Sequence, residues 1–149
     1  MLAETGTRKA TVLVVDDSPE ILRYLRLLLE MDSYQVETAS NGLEALKCLR
    51  HGCSPEIVLL DLQMPGLDGL RTLRRLRKLR PELKVIMCSG VTDSRKIEQA
   101  EALGVEAYLT KPVHHLYLTA ALEQCLHPNK GAEVRSSRPN VVPFPTNRI

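Results

Sequence analysis

The sequence predicts an α/β domain: a doubly wound, five-stranded parallel sheet in the order 2-1-3-4-5, with five helices. Three observations predict it. Apolar, β-branched runs alternate with helix-period segments five times over. The connections between them are short, as right-handed parallel crossovers require. A polar or charged cluster follows four of the five runs: Asp16-Asp17 after TVLVV, Asp61 after EIVLL, Ser89 after LKVIMC, and Lys111-Pro112 after EAYLT.

The elements follow in order. Val12 to Val15 is a continuous apolar run, as expected of a strand buried on both faces. Ser18-Pro19-Glu20 opens the first helix, with Ser as N-cap, Pro at the first helical position and Glu complementing the dipole; Ile21, Leu22, Leu25, Leu28 and Leu29 form its stripe. Tyr34 to Ala39 alternates as the second strand, and Ser40-Asn41-Gly42 leads into a helix carrying Leu43, Leu46 and Leu49. Glu56 to Leu60 is the third strand. The loop Gln63-Met64-Pro65-Gly66 breaks regular structure, and Asp68-Gly69 restarts a helix whose stripe is Leu70, Leu73, Leu76 and Leu79. Leu83 to Cys88 is the fourth strand, Thr92 to Leu103 the fourth helix with Gly104 as its stop, Glu106 to Leu109 the fifth strand, and Val113 to Leu126 the last helix. Residues 1–9 read as a flexible N-terminus and 10–127 as the folded domain. Residues 128–149, with Pro128, Pro139, Pro143 and Pro145 among polar residues, have no helix or strand period and read as a flexible tail.

Composition narrows the function classes. A chain of 149 residues with 44% hydrophobic and 26% charged residues buries one core of ordinary size. A net charge of +2 predicts no general affinity for nucleic acid, and the absence of Trp leaves little for base stacking. With no signal-peptide pattern and no apolar run of membrane-span length, a cytoplasmic location without membrane association is expected. The four cysteines form no paired CxxC pattern, so reduced thiols are expected. Cys48, His51 and Cys53 offer three local metal donors, but no fourth is indicated, and a semi-buried thiol at a helix end is the expectation there.

In an open parallel sheet all strand C-termini share one edge, so the four polar clusters meet in a single crevice. Three carboxylates there repel one another unless a cation lies among them. Hard oxygen donors, few in number, with room for water and phosphate, describe Mg²⁺. One carboxylate then acts as nucleophile on phosphorus, and Asp61, at the end of the central strand, is the best placed. Ser89 supplies a donor and Lys111 a counter-charge for the phosphoryl oxygens.

Asp16-Asp17, the run from Asp61 through Pro65 and Asp68 to Gly69, Ser89-Gly90 and Tyr108-Leu-Thr-Lys-Pro112 together resemble the receiver domain of bacterial two-component response regulators. The resemblance covers about residues 10–127 and implies the flavodoxin-like fold. It implies Asp61 as phosphoacceptor, with Asp17, Asp61 and the Gln63 main-chain carbonyl at Mg²⁺ and Asp16 holding metal-bound water. Ser89 and Lys111 would contact the phosphoryl group, and the Lys111-Pro112 bond would be cis. Ser89 and Tyr108 would form a switch that repacks the surface of helix 4, strand 5 and helix 5. The implied partners are a sensor histidine kinase or histidine phosphotransfer protein and a downstream protein of unknown identity. No catalytic turnover is implied beyond self-phosphorylation and slow autodephosphorylation, since neither Gln63 nor Val91 activates water.

Other readings attach to particular segments. Arg71, Arg74, Arg75, Arg77, Lys78 and Arg80 on the third helix read as a solvated face. Adjacent His114 and His115 point different ways and share no metal. Val141-Val142-Pro143-Phe144-Pro145 reads as linker, with peptide docking as its rival. Ala107 replaces an acid that many DNA-binding regulators use in receiver dimers, which disfavours that dimer. The leading expectation is a stand-alone receiver, with a receiver segment of a longer protein also compatible. Two rivals are a phosphate-independent scaffold and a small-molecule phosphatase with an Asp nucleophile. The second lacks the usual acid two residues after the nucleophile, where Gln63 stands.

Overall fold

The structure is a computed structural model of the chain, and it describes residues 9–64, 66–90 and 94–128 and the backbone of Val141–Val142. The elements are β1 (Thr11–Val15), α1 (Pro19–Met31), β2 (Gln35–Ala39), α2 (Gly42–Arg50), β3 (Ile57–Asp61), α3 (Gly69–Leu79), β4 (Lys84–Ser89), α4 (Ser94–Ala102), β5 (Ala107–Thr110), α5 (His115–Leu126) and β6 (Val141–Val142). The first five strands are parallel in the order β2-β1-β3-β4-β5, as the sequence predicts.

Alternation along the strands divides the core into two layers. Leu13, Val15, Val58, Leu60, Val85 and Met87 face one side, where Leu46, Leu49, Leu73, Leu76 and Ile97 of α2, α3 and α4 cover them. Val12, Val14, Ile57, Leu59 and Ile86 face the other, under Leu25 and Leu29 of α1 and Leu118 and Leu122 of α5. Each fully buried Leu of these layers stabilises the fold by about 1.5–3 kcal/mol relative to exposure. Among the described residues no helix is long and apolar enough to cross a membrane.

Helix starts are set locally. Ser18 Oγ accepts from Ile21 N, Asn41 Oδ1 from Glu44 N, and Asp68 Oδ1 from Arg71 N, each satisfying an otherwise orphaned amide. The stops at Gly52 (φ 108°) and Gly104 (φ 82°) lie in the left-handed region that glycine adopts freely.

Several expectations need correction. Leu79, expected in the buried stripe of α3, reaches the surface at the end of that helix; on α2 the buried stripe runs through Gly42, Ala45, Leu46 and Leu49 and leaves Leu43 exposed. Arg77 and Arg80 are not a solvated face. Arg77 lies half-buried and donates to the carbonyls of Leu103 at 2.8 Å, Gly104 at 2.6 Å and Leu83, tying α3 to the end of α4 and the start of β4. Arg80 donates to Leu49 O at 2.9 Å and Cys53 O at 3.3 Å. Cys48 and Cys53 are joined as a disulfide where reduced thiols were expected, their Cα atoms 5.2 Å apart and so within bridging range; Cys88 and Cys125 are free and buried. The tail contributes a strand: β6 pairs antiparallel with β5, Val142 opposite Tyr108 and Val141 opposite Leu109. A two-residue strand shows no periodicity in sequence, and its place is set by the unpaired edge of β5. Residues 1–8, Pro65, Val91 and the VPFP aromatic Phe144 lie outside the described residues.

Candidate functional site at the strand ends

Asp16 follows β1 directly. Its Oδ1 accepts from Ser18 N at 2.9 Å, which fixes the carboxylate, and its Oδ2 accepts from Lys111 Nζ at 2.7 Å across the crevice. Asp61 is the last residue of β3. Its Oδ1 accepts from Gln63 N at 3.1 Å and its Oδ2 lies 3.3 Å from Lys111 Nζ. Asp16 and Asp61 are buried, whereas Asp17 is exposed; one carboxylate oxygen from each of the three lies within 4.8 Å of the others. Ser89 closes β4 and is buried, and its carbonyl accepts from Lys111 N at 3.1 Å, which brings the β5 end beside it. The Lys111-Pro112 peptide is cis.

Gly69 positions this edge from below. Its N–H donates to Leu62 O at 3.0 Å, and a Cβ there would press into the Asp61 carbonyl and the Leu62 backbone. Only glycine lets the start of α3 lie against the end of β3, and that packing holds the Asp61 backbone.

Burial is the largest influence on the Asp61 carboxyl and pushes it up; Lys111 pulls it back and the Asp16 charge adds to the rise, leaving it above the ordinary aspartate value. Lys111 shows the opposite balance. Burial works against its charge, but the Asp16 and Asp61 carboxylates outweigh that and hold the ammonium firmly protonated. Burial pushes the neighbouring Cys88 thiol up to about 12, so it is no nucleophile here.

The predicted residues thus arrive at one edge: Asp16, Asp17, Asp61, Ser89 and Lys111, with the Gln63 side chain exposed beside them. Tyr108 is fully buried among the side chains facing α3 and α4. His115 and His114 diverge: His115 Nε2 lies 2.7 Å from Asp32 Oδ2, while His114 packs edge-on to Tyr117 at 5.6 Å. Sequence reasoning missed an apolar row on α1. Tyr24, Leu27 and Met31 are exposed, at 47%, 63% and 71%, off the buried stripe at near-helical spacing. The signal was present as apolar residues left over once the buried stripe is assigned.

The donor set fits a hard divalent cation. Three carboxylates from two strand ends converge with a solvent-facing side at Asp17, and one ammonium offsets only part of their charge. The group the arrangement suits is Mg²⁺.

Comparison with known proteins agrees with this geometry. Residues 12–123 match the family model for the response regulator receiver domain. The chain is 42% identical over 124 residues to the positive alginate biosynthesis regulatory protein of Pseudomonas aeruginosa, covering 80% of this chain and 48% of that protein. It is 40% identical over 121 residues to the transcriptional regulatory protein KdpE of Mycobacterium tuberculosis, covering 81% and 53%. The chain therefore spans about half the length of these curated relatives. A receiver domain protein from Clostridium thermocellum superposes with a TM-score of 0.76 at 34% identity, covering 82% of this chain and 98% of that one. Buried carboxylates, hydroxyl and lysine at one sheet edge, on a 2-1-3-4-5 sheet matching that family model, place this chain among the receiver domains of two-component response regulators.

Proposed function

We propose that Asp61 accepts a phosphoryl group from a phosphohistidine on a sensor histidine kinase or a histidine phosphotransfer protein. The observation that carries the reading is the convergence on Asp61 of Lys111 Nζ at 3.3 Å and the Asp16 and Asp17 carboxylates. Asp61 Oδ attacks phosphorus, an O–P bond forms, the N–P bond breaks, and the leaving imidazole keeps the electron pair. Asp16, Asp17, Asp61 and the Gln63 carbonyl would hold Mg²⁺, which supplies charge neutralisation for the transferring oxygens. Lys111 compensates the added negative charge, and the Ser89 hydroxyl donates to a phosphoryl oxygen.

The protein is a switch in this reading, not a turnover enzyme. Movement of Ser89 toward the phosphoryl group would alter the packing around buried Tyr108 and so the α4-β5-α5 surface that a downstream protein reads. Gln63 offers no base for water, so autodephosphorylation is slow and the phosphoryl group outlasts seconds in vitro. Exposed Tyr24, Leu27 and Met31 on α1, with Leu116 at the start of α5, offer the donor protein an apolar surface on the face that carries these two helices. Tyr24 Oη donates to Val113 O at 3.0 Å and joins α1 to the segment that leads into α5.

Intact-mass spectrometry after incubation with Mg²⁺ and acetyl phosphate tests the chemistry. The expected result is a Mg²⁺-dependent gain of one phosphoryl group that Asp61→Ala abolishes. A gain that survives in Asp61→Ala, or absence of any gain together with no Mg²⁺ affinity, overturns it and favours a phosphate-independent scaffold.

A further inference from the structure

We infer that, when its Cys48–Cys53 disulfide is reduced, this chain binds one thiophilic divalent cation of the zinc class between Cys48, Cys53 and Glu37. This site is separate from the carboxylates at the strand ends. It is built from the end of α2, the turn that follows, and the outer strand β2. Glu37 pairs in register with Leu13 and shares the parity of Ala39, so its side chain points to the layer that α2 covers. Its Oε1 lies 3.1 Å from Cys53 Sγ and 3.8 Å from Cys48 Sγ. One donor atom from each of the three residues lies within 4.8 Å of the others, and all three are half-buried. Glu37 is the further donor that the Cys48, His51 and Cys53 spacing lacked; His51 is exposed in the turn and does not join the converging set.

The surroundings favour a cation with thiolate ligands. The C-terminal dipole of α2 presents partial negative charge where Cys48 lies. Arg80, bonded to the carbonyls of Leu49 and Cys53, braces the turn. Two thiolates and one carboxylate, with water in the fourth place, satisfy tetrahedral zinc at Zn–S of about 2.3 Å. Both sulfurs pack against the α2-side core, which keeps them near each other after the bond is broken.

Two electrons cleave the S–S bond, and each sulfur takes one proton. The reductant is a phosphine that leaves as its oxide, with water supplying the oxygen, or a dithiol that leaves as a disulfide. Metal binding then releases the two thiol protons.

The test is anaerobic titration of the phosphine-reduced full chain with Co²⁺ in excess Mg²⁺, followed by displacement with Zn²⁺. The excess Mg²⁺ and the all-oxygen character of the aspartate site keep that site from giving a thiolate signal. The expected result is a thiolate-to-cobalt charge-transfer band saturating at one equivalent and abolished by Zn²⁺. The band is lost in the Cys48→Ser, Cys53→Ser double variant, with circular dichroism confirming the fold. Glu37→Gln weakens binding by about tenfold or more, as even outer-shell partners of metal ligands cost that much. No band in the reduced wild type, a band retained in the double variant, or unchanged affinity in Glu37→Gln overturns the inference.

Discussion

Asp32 illustrates how one side chain joins distant parts of this fold. As C-cap of α1 it accepts from Thr119 Oγ1 at 3.0 Å and lies 2.7 Å from His115 Nε2 on α5. Burial works against its ionised form, but the His115 and Thr119 contacts outweigh it and hold the carboxyl below the ordinary aspartate value. The native state therefore binds fewer protons here than the unfolded chain. Its stabilisation is present above the unfolded pKa, about 3.9, and is lost as pH falls through the lower folded value. Asp32→Asn should cost about 1 kcal/mol at neutral pH, after discounting for solvent screening, and flatten the acid limb of a melting-temperature profile. An acid limb unchanged from wild type would refute this. At Gly69 the expectation is steric: Gly69→Ala should destabilise by about 1–3 kcal/mol in urea unfolding and slow labelling at Asp61, because the new methyl displaces the β3 end. Wild-type stability and labelling would show that the contact yields freely.

Elements are held together here by bonds that helix and strand patterns do not encode. Arg77 satisfies the last carbonyls of the α4 region with a planar guanidinium, a task for which lysine lacks the fork. Arg77→Lys should therefore lose most of what Arg77→Ala loses, about 2–3 kcal/mol by denaturant unfolding. Equal stability of Arg77→Lys and wild type would assign the effect to charge alone. The strand β6 works on a different edge. Ending the chain at Pro128 should speed amide exchange along β5, where Tyr108 and Leu109 now pair with Val142 and Val141. Exchange unchanged by the truncation would mean that the pairing contributes nothing to protection.

For the whole molecule, the proposed phosphoacceptor chemistry and the proposed donor docking are separable. The acid-lysine cluster lies at the strand ends, while the apolar row Tyr24, Leu27 and Met31 lies on the outer face of α1. Leu27→Glu should leave acetyl phosphate labelling intact and slow transfer from a cognate kinase about tenfold, the equivalent of roughly 1.4 kcal/mol of docking energy. Equal losses with both donors would place the defect in the fold or the site.

The order of elements, their caps and the strand-end cluster were legible in the chain because each has a local cause. Apolar runs mark buried parallel strands, Ser18, Asn41 and Asp68 start helices, and an open sheet must bring strand ends to one edge. Three things were settled only in three dimensions. Arg77 reads as one cation in a basic helix until the end of α4 packs beside it. Val141–Val142 has no pattern of its own and is a strand only because β5 has an open edge. Glu37 meets Cys48 and Cys53 only because β2 lies under α2. Periodicity and capping are properties of neighbours in sequence, whereas these contacts join residues that only the packing of one element on another brings within bonding distance.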